Sequence, residues 1–313
     1  MTANTMSLSS TLEYLGAATA LLLTYRAISF CSIYLKPSTL HRYNPTGRSW
    51  ALVTGSTAGI GEGFAHALCA KNFNVVLHGR DTKKLSALKS TLSQKYPNVQ
   101  IKTVVADVFD IDVDIASIVK ACEDLSGPLT LLVNNVGGAP LSPSYGTLAE
   151  VDASYVDKMI NLNSRFPTQL TRALLPLLSQ NSPALVMSTC SITGFRGLPY
   201  LSVYSASKAF NYALNESLAS ELKAEKKDVE ALAIVIANVV SGGNKTTEGA
   251  FTCTGLQMAE FSLDRVGCGQ TAVFGWWRHA VQWWCMSLLP EWLTEKILIG
   301  VMKERRIEEQ KGE

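Results

Sequence analysis

Charged residues are few in this sequence: Asp, Glu, Lys and Arg make up 17% of its 313 residues, and the formal net charge is only +2. No basic stripe runs along any segment, so the chain lacks the electrostatic footprint of a nucleic-acid partner. Nor is there a cysteine pair at C-x-x-C spacing, or a cluster of cysteine and histidine. The seven cysteines, at positions 31, 69, 122, 190, 253, 268 and 285, are scattered and odd in number. That spacing argues against a disulfide framework or a zinc site and fits a reducing compartment. Internal repeats and low-complexity linkers are also missing.

Apolar residues are plentiful, at 47%, ample for the core of one large α/β domain. One apolar stretch stands apart, from Leu12 to Leu35, with Glu13 at its start and Arg26 as the one charge further in. As a helix it would reach about 36 Å at about 1.5 Å per residue, enough to cross a bilayer with some tilt. No Lys or Arg precedes it, and no small-x-small site closes it, so a cleaved signal peptide fits less well. Arg26 near a bilayer centre is costly unless it snorkels, which keeps a helix lying flat in the interface as the alternative. Lys36, His41, Arg42 and Arg48 follow the stretch, and the positive-inside rule then leaves the rest of the chain in the cytosol.

From Trp50 the pattern alternates between short buried runs and helical spacing. Strands are expected at Ala51–Thr54, Asn74–Leu77, Ile101–Ala106, Leu129–Val133, Ala184–Ser188 and Ala231–Ala237. Helices are expected around Ile60–Leu68 and Leu85–Leu92, at Ile115–Cys122 and Tyr204–Leu222, and at Met159–Leu178, where Pro167 and Pro176 would bend the helix. Such alternation gives a doubly wound parallel sheet. The tail from Val273 to Met302 holds five of the six tryptophans and is expected to form two helical pieces broken at Pro290. It suits either a membrane interface or a helix pair capping a pocket or a dimer face.

Gly55-Ser56-Thr57-Ala58-Gly59-Ile60-Gly61 joins the first strand to the first helix. Gly55 permits a tight turn. Gly59 and Gly61 let the backbone approach a pyrophosphate, which the helix N-terminus would face. An NAD site needs an acid at the end of the second strand. Here Gly79 stands at that place and Arg80 follows, a residue able to grip a 2′-phosphate, so the expected cofactor is NADPH/NADP+. Asp81 reads better as the cap of the next helix. Asp107, after the third strand, is placed to reach the adenine amino group, or else is a solvated loop residue.

Tyr204 and Lys208 are four residues apart, one turn on one helix face. Ketone reduction needs an acid for the forming alkoxide, and a lysine cation beside a phenol favours the phenolate, so both protonation states become useful. Ser191, thirteen residues earlier, is placed to polarise a carbonyl. Asn135 lies in Asn134-Asn135-Val136-Gly137, at the carboxyl edge where open α/β sheets bind ligands. Asn163 is a candidate to hold a proton-relaying water. Read singly, these are also a turn serine, a polar turn and a buried asparagine.

Together the T-G-x-x-x-G-x-G turn, the N-N-x-G turn and the order Asn163, Ser191, Tyr204, Lys208 resemble the short-chain dehydrogenase/reductase family over about residues 48–245. The resemblance implies a Rossmann-type sheet, Tyr204 as acid/base, Lys208 as its partner and ribose ligand, Ser191 as carbonyl donor and Asn163 as relay. It also implies contact of the loop at Val239 with the nicotinamide, and pairing of two copies through the long helices. The apolar N-terminus, Tyr34-Leu35-Lys36-Pro37-Ser38, Arg48-Ser49-Trp50-Ala51-Leu52-Val53-Thr54-Gly55 and Leu289-Pro290-Glu291-Trp292 are similar to very-long-chain 3-oxoacyl-CoA reductases and related steroid dehydrogenases, membrane enzymes of the endoplasmic reticulum. The organisation expected is then an anchor at 1–36, a catalytic domain at 48–245 and a lid with a helical, membrane-associated tail at 246–313.

The chain departs from the family after the sixth strand. Asn238-Val239-Val240-Ser241-Gly242-Gly243-Asn244 stands where a Pro-Gly or Pro-Tyr is usual, which leaves the substrate open and suggests a mobile lid. Gln310-Lys311-Gly312-Glu313 carries no dilysine pair, so retention is expected from the membrane segment. The leading function is reduction of a lipophilic ketone (3-oxoacyl-CoA-like, steroid or polyketide-type). The alternatives are oxidation of a hydroxysteroid or metabolite alcohol, and a non-catalytic nucleotide-binding scaffold.

Overall fold

The computed structural model describes residues 8–241 and 246–312. Helix α1 spans Leu8–Leu35, is exposed over residues 11–28 and partly buried at its end, and contains a span of mean hydropathy 1.4 long enough to cross a membrane. The strands β1 (Trp50–Val53), β2 (Asn74–Gly79), β3 (Ile101–Val105), β4 (Leu129–Asn134), β5 (Ala184–Ser191), β6 (Val229–Ile236) and β9 (Ala272–Phe274) form a seven-stranded sheet in the order β3-β2-β1-β4-β5-β6-β9. All six pairings are parallel. Every residue of β1, β2 and β4 is buried, as helices on both faces require.

Alternate residues serve opposite faces. Ala51 and Val53 pack with Phe64 and Leu68 of α2 (Gly59–Ala70) and with Met258 and Leu263 of α8 (Gly255–Leu263). Trp50 and Leu52 pack with Ile118 of α4 (Ile115–Glu123) and with Phe166, Leu170 and Leu174 of α6 (Phe166–Gln180). Helix α3 (Thr82–Lys95) and the long α7 (Ser202–Ala224) complete the layers. The strand order reverses at β1, which pairs with both β2 and β4. That crevice is where open α/β sheets bind ligands.

Three elements differ from the pattern read above. Val273 belongs not to a helix but to β9, three residues long and too short for periodicity to reveal. Beyond it come α9 (Trp277–Ser287) and α10 (Glu291–Gly312), parted at Pro290 as expected. A small parallel pair, β7 (Asn238–Val240) with β8 (Thr252–Thr254), was not foreseen. Gly242, Gly243 and Asn244 lie outside the described residues. The helix expected at Met159–Leu178 starts earlier, as α5 (Ala153–Ile160), with Asp152 accepting from the Tyr155 N–H at 2.6 Å. It passes through a π turn at Asn161–Arg165 before α6. Pro167 sits in the first turn of α6, where its missing N–H leaves the carbonyl of Asn163 without the usual helical donor.

Candidate active site

Backbone shape is the first requirement of the turn after β1. Gly55 (φ +64°) and Gly59 (φ +57°) are left-handed, a conformation that costs glycine nothing. A Cβ on Gly61 would lie 2.1 Å from the Gly55 carbonyl oxygen. The Thr54 hydroxyl donates to the Val133 carbonyl at 3.1 Å and accepts from the N–H groups of Asn135 (2.9 Å) and Val136 (3.0 Å). The Asn135 amide donates back to the Thr54 carbonyl at 3.0 Å. The two turns at the carboxyl ends of β1 and β4 are thereby laced together.

A cavity of about 610 Å³ opens above them. Gly55, Gly59, Ile60, Asn135, Ser191, Tyr204, Lys208 and Val239 line it. The Lys208 ammonium is buried, donates to the Thr189 carbonyl at 3.1 Å and lies 5.8 Å from the centre of the Tyr204 ring. Ser191 ends β5, where its Oγ accepts from the Thr193 N–H at 3.3 Å. Burial pushes the neighbouring Cys190 thiol up to about 11, offset in part by Lys208, so it stays a neutral thiol.

Asn163 is buried behind this wall. Its side chain accepts from the Gly138 N–H at 2.8 Å and donates to the carbonyls of Gly138 (2.9 Å) and Met159 (3.1 Å). A Cβ on Gly137 would lie 2.7 Å from Asn163 Oδ1 and 3.3 Å from Lys208 Nζ. Gly137 thus lies beside both Asn163 and Lys208, where any larger residue would crowd them.

Other expected residues lie elsewhere. Ser56 is fully buried, and its hydroxyl donates to the His78 carbonyl at 3.1 Å rather than facing the cavity. Thr57 packs against Gly79. Arg80 and Asp107 meet at Phe109: the guanidinium stacks 5.0 Å from its ring, and Asp107 Oδ1 accepts from its N–H at 3.1 Å. Asp81 caps α3, accepting from the Lys83 and Lys84 N–H groups, which takes it out of the competition with Arg80.

The tail supplies cavity walls, as one of the two expectations for it had it, through residues not named from the sequence. Trp283 and Met286 of α9 and Leu298, Met302 and Arg305 of α10 line the cavity. The 298, 302, 305 spacing is one helix face, the periodicity that could have named these residues within the capping pair. Two amides of the 139–151 loop, those of Ser144 and Tyr145, donate to the Glu309 carboxylate at 2.7 and 3.0 Å. Arg306 pairs with Glu150 at 2.6 Å. Among the described residues no cluster of His, Cys, Asp and Glu could hold a metal.

Comparison with known proteins agrees with this architecture. A family model described as short chain dehydrogenase matches residues 49–249. The very-long-chain 3-oxoacyl-CoA reductase of Rattus norvegicus is 31% identical over 82% of this chain and 80% of its own. The protein of that name from Pyricularia oryzae is 29% identical over 86% and 83%. A 7beta-hydroxysteroid dehydrogenase structure superposes at a TM-score of 0.69 over 80% of this chain and 96% of its own, at 20% identity. An NADPH-bound short chain oxidoreductase from Pseudomonas aeruginosa, 29% identical, superposes at 0.56 over 62% and 72%. Sequence similarity of that extent, on a sheet whose order reverses beside a glycine turn, places the chain in the short-chain dehydrogenase/reductase family.

Proposed function

We propose that the protein is a membrane-anchored, NADPH-dependent reductase of a lipophilic ketone. The observation that carries this reading is the position of Tyr204 and buried Lys208 on one wall of the cavity, with the glycine turn at its floor. The backbone of that floor fits a dinucleotide, because side chains at Gly55, Gly59 or Gly61 would strain or fill it. In this reading Arg80 takes the 2′-phosphate and Asp107 the adenine amino group, the two meeting at Phe109. The names of similar proteins, an NADPH-bound oxidoreductase and 3-oxoacyl-CoA reductases, support the same cofactor and an acyl-CoA-like ketone.

Held at the glycine turn, NADPH would supply the hydride for the carbonyl carbon. Tyr204 donates its phenolic proton to the carbonyl oxygen, and Ser191 holds that oxygen by a hydrogen bond. Lys208 stabilises the resulting phenolate. Asn163, buried beside Gly137, is the relay residue of this reading, and the Thr189 carbonyl holds the ammonium of Lys208. The apolar walls from α9 and α10 suit a long aliphatic substrate. Helix α1 anchors the body, which faces the cytosol at the endoplasmic reticulum. The test is NADPH oxidation by the full chain against acyl-CoA, steroid and polyketide ketones. Turnover of a 3-oxoacyl-CoA with NADPH preferred over NADH supports the reading. Turnover of none, with NADPH bound, favours the scaffold alternative.

A further inference from the structure

Helices α9 and α10 each turn one face to the cavity. The turn between them and the adjoining helix ends are apolar and exposed: Trp284 is 51% exposed, Leu288 64% and Trp292 66%, while further along α10 the outer face carries Glu295, Lys296, Lys303 and Glu304. Val301 belongs to both surfaces, lining the cavity while 45% exposed. Single exposed apolar residues are ordinary, but a continuous set rich in tryptophan marks a contact surface.

Its neighbour in the fold says what that contact is. Helix α1 ends at the corner where α9 begins. The Tyr34 hydroxyl donates to the Phe274 carbonyl at 3.0 Å, and Arg265 donates to the Ile33 carbonyl at 2.7 Å. Phe274 closes β9, and α9 starts three residues later. From Phe274, rings continue inward: Phe195 lies 6.1 Å from Phe274 and 5.5 Å from Trp283, a cavity wall. The end of the apolar helix therefore lies against the start of the tail, and the tail's rings lead on to the cavity. Tryptophan at a helix turn suits the headgroup level of a bilayer, where its ring is half apolar and half polar.

We propose that the α9–α10 turn docks on the lipid bilayer beside α1, and that a ketone dissolved in that bilayer enters the cavity past Val301. This rests on the membrane reading of α1, and the test separates the two. Trp50 is buried in the core and α1 contains no tryptophan, so quenching by lipid reports the tail. The full chain is reconstituted in phosphatidylcholine vesicles with plain or brominated acyl chains, floated, and its tryptophan emission compared. Emission is expected to fall by about half in brominated vesicles, since interfacial rings lie near the upper acyl chain. Trp284→Phe with Trp292→Phe should abolish most of that fall. Co-flotation with equal emission in both vesicles would overturn the docking while leaving the anchor intact. Failure to float would overturn both. Equal emission with cross-linking of exposed Cys285 between copies would assign the face to a second chain and also overturn the proposal. Entry has its own arm. Leu288→Glu should raise KM for a bilayer-resident ketone about tenfold, equivalent to about 1.4 kcal/mol, and leave a short water-soluble ketone within about twofold. An equal change for both ketones would contradict entry from the bilayer.

Discussion

The side-chain amide of Asn211 donates to the backbone carbonyl of Asn163 at 2.7 Å. This is the carbonyl that Pro167 deprives of a helical donor, so α7 completes a helix it does not belong to. A buried acceptor left without a donor costs about 1–3 kcal/mol. Asn211→Leu is therefore expected to lower stability by about that amount and kcat about tenfold, because Asn163 and Lys208 both lie beside Gly137. NADPH affinity should not change. The check is a denaturation curve together with steady-state kinetics; normal kcat would separate Asn163 from the reacting groups.

The Glu309 carboxylate ties α10 to the loop that carries Ser144 and Tyr145, both cavity walls. Glu309→Ala removes two charge-assisted bonds at a partly solvated site, worth about 1–2 kcal/mol together. KM for the ketone should rise about 5- to 30-fold, with the Kd of NADPH unchanged. A matched loss of cofactor affinity would show that the tail acts on the whole fold rather than on the substrate wall.

Arg80 is expected to choose the cofactor. Its guanidinium lies against Phe109 and has no carboxylate partner among the described residues' ion pairs. Arg80→Ala should weaken NADPH by about 10- to 100-fold, from about 1.5–3 kcal/mol of charged hydrogen bonding, and NADH by little. Binding titrations with both nucleotides decide it; equal losses would remove Arg80 from this role.

Acid sensitivity follows from His78. The ring is buried, stacks 5.4 Å from Phe166 and has no hydrogen-bond partner at either nitrogen among the described residues. Burial pushes its pKa down from 6.5 to about 4, and His279 is held down to about 4 chiefly for the same reason. Below about pH 6.5 the unfolded chain takes up protons that the folded chain refuses. Stability is thus full above that pH and falls as the pH drops towards 4, by about 3 kcal/mol for His78. His78→Phe should flatten the dependence of the denaturation midpoint on pH over that window. An unchanged slope would contradict it.

Much of the site is legible locally. The glycine turn and the Tyr204–Lys208 pair, which line one cavity, stand out in the sequence because each is set by a short spacing on one strand–helix junction or one helix face. Asp81 reads correctly as a cap for the same reason. What stays hidden depends on distant partners. Ser56 looks like a cleft residue until the His78 carbonyl, on the adjacent strand, claims its hydroxyl. β9 is three residues whose strand character comes from pairing with β6. Pro167 reads as a bend, yet its effect is felt at Asn163 and answered by Asn211 on another helix. Glu309 closes a wall more than one hundred and fifty residues away in sequence, a relation no local pattern encodes.

The central claim is tested most directly by Tyr204→Phe, assayed by NADPH oxidation on the best ketone of the screen. Loss of the phenolic proton should lower kcat/KM by about 10²–10⁴-fold, with NADPH affinity within about twofold of the wild type. Turnover that survives the substitution unchanged would contradict the assignment of the acid to this residue.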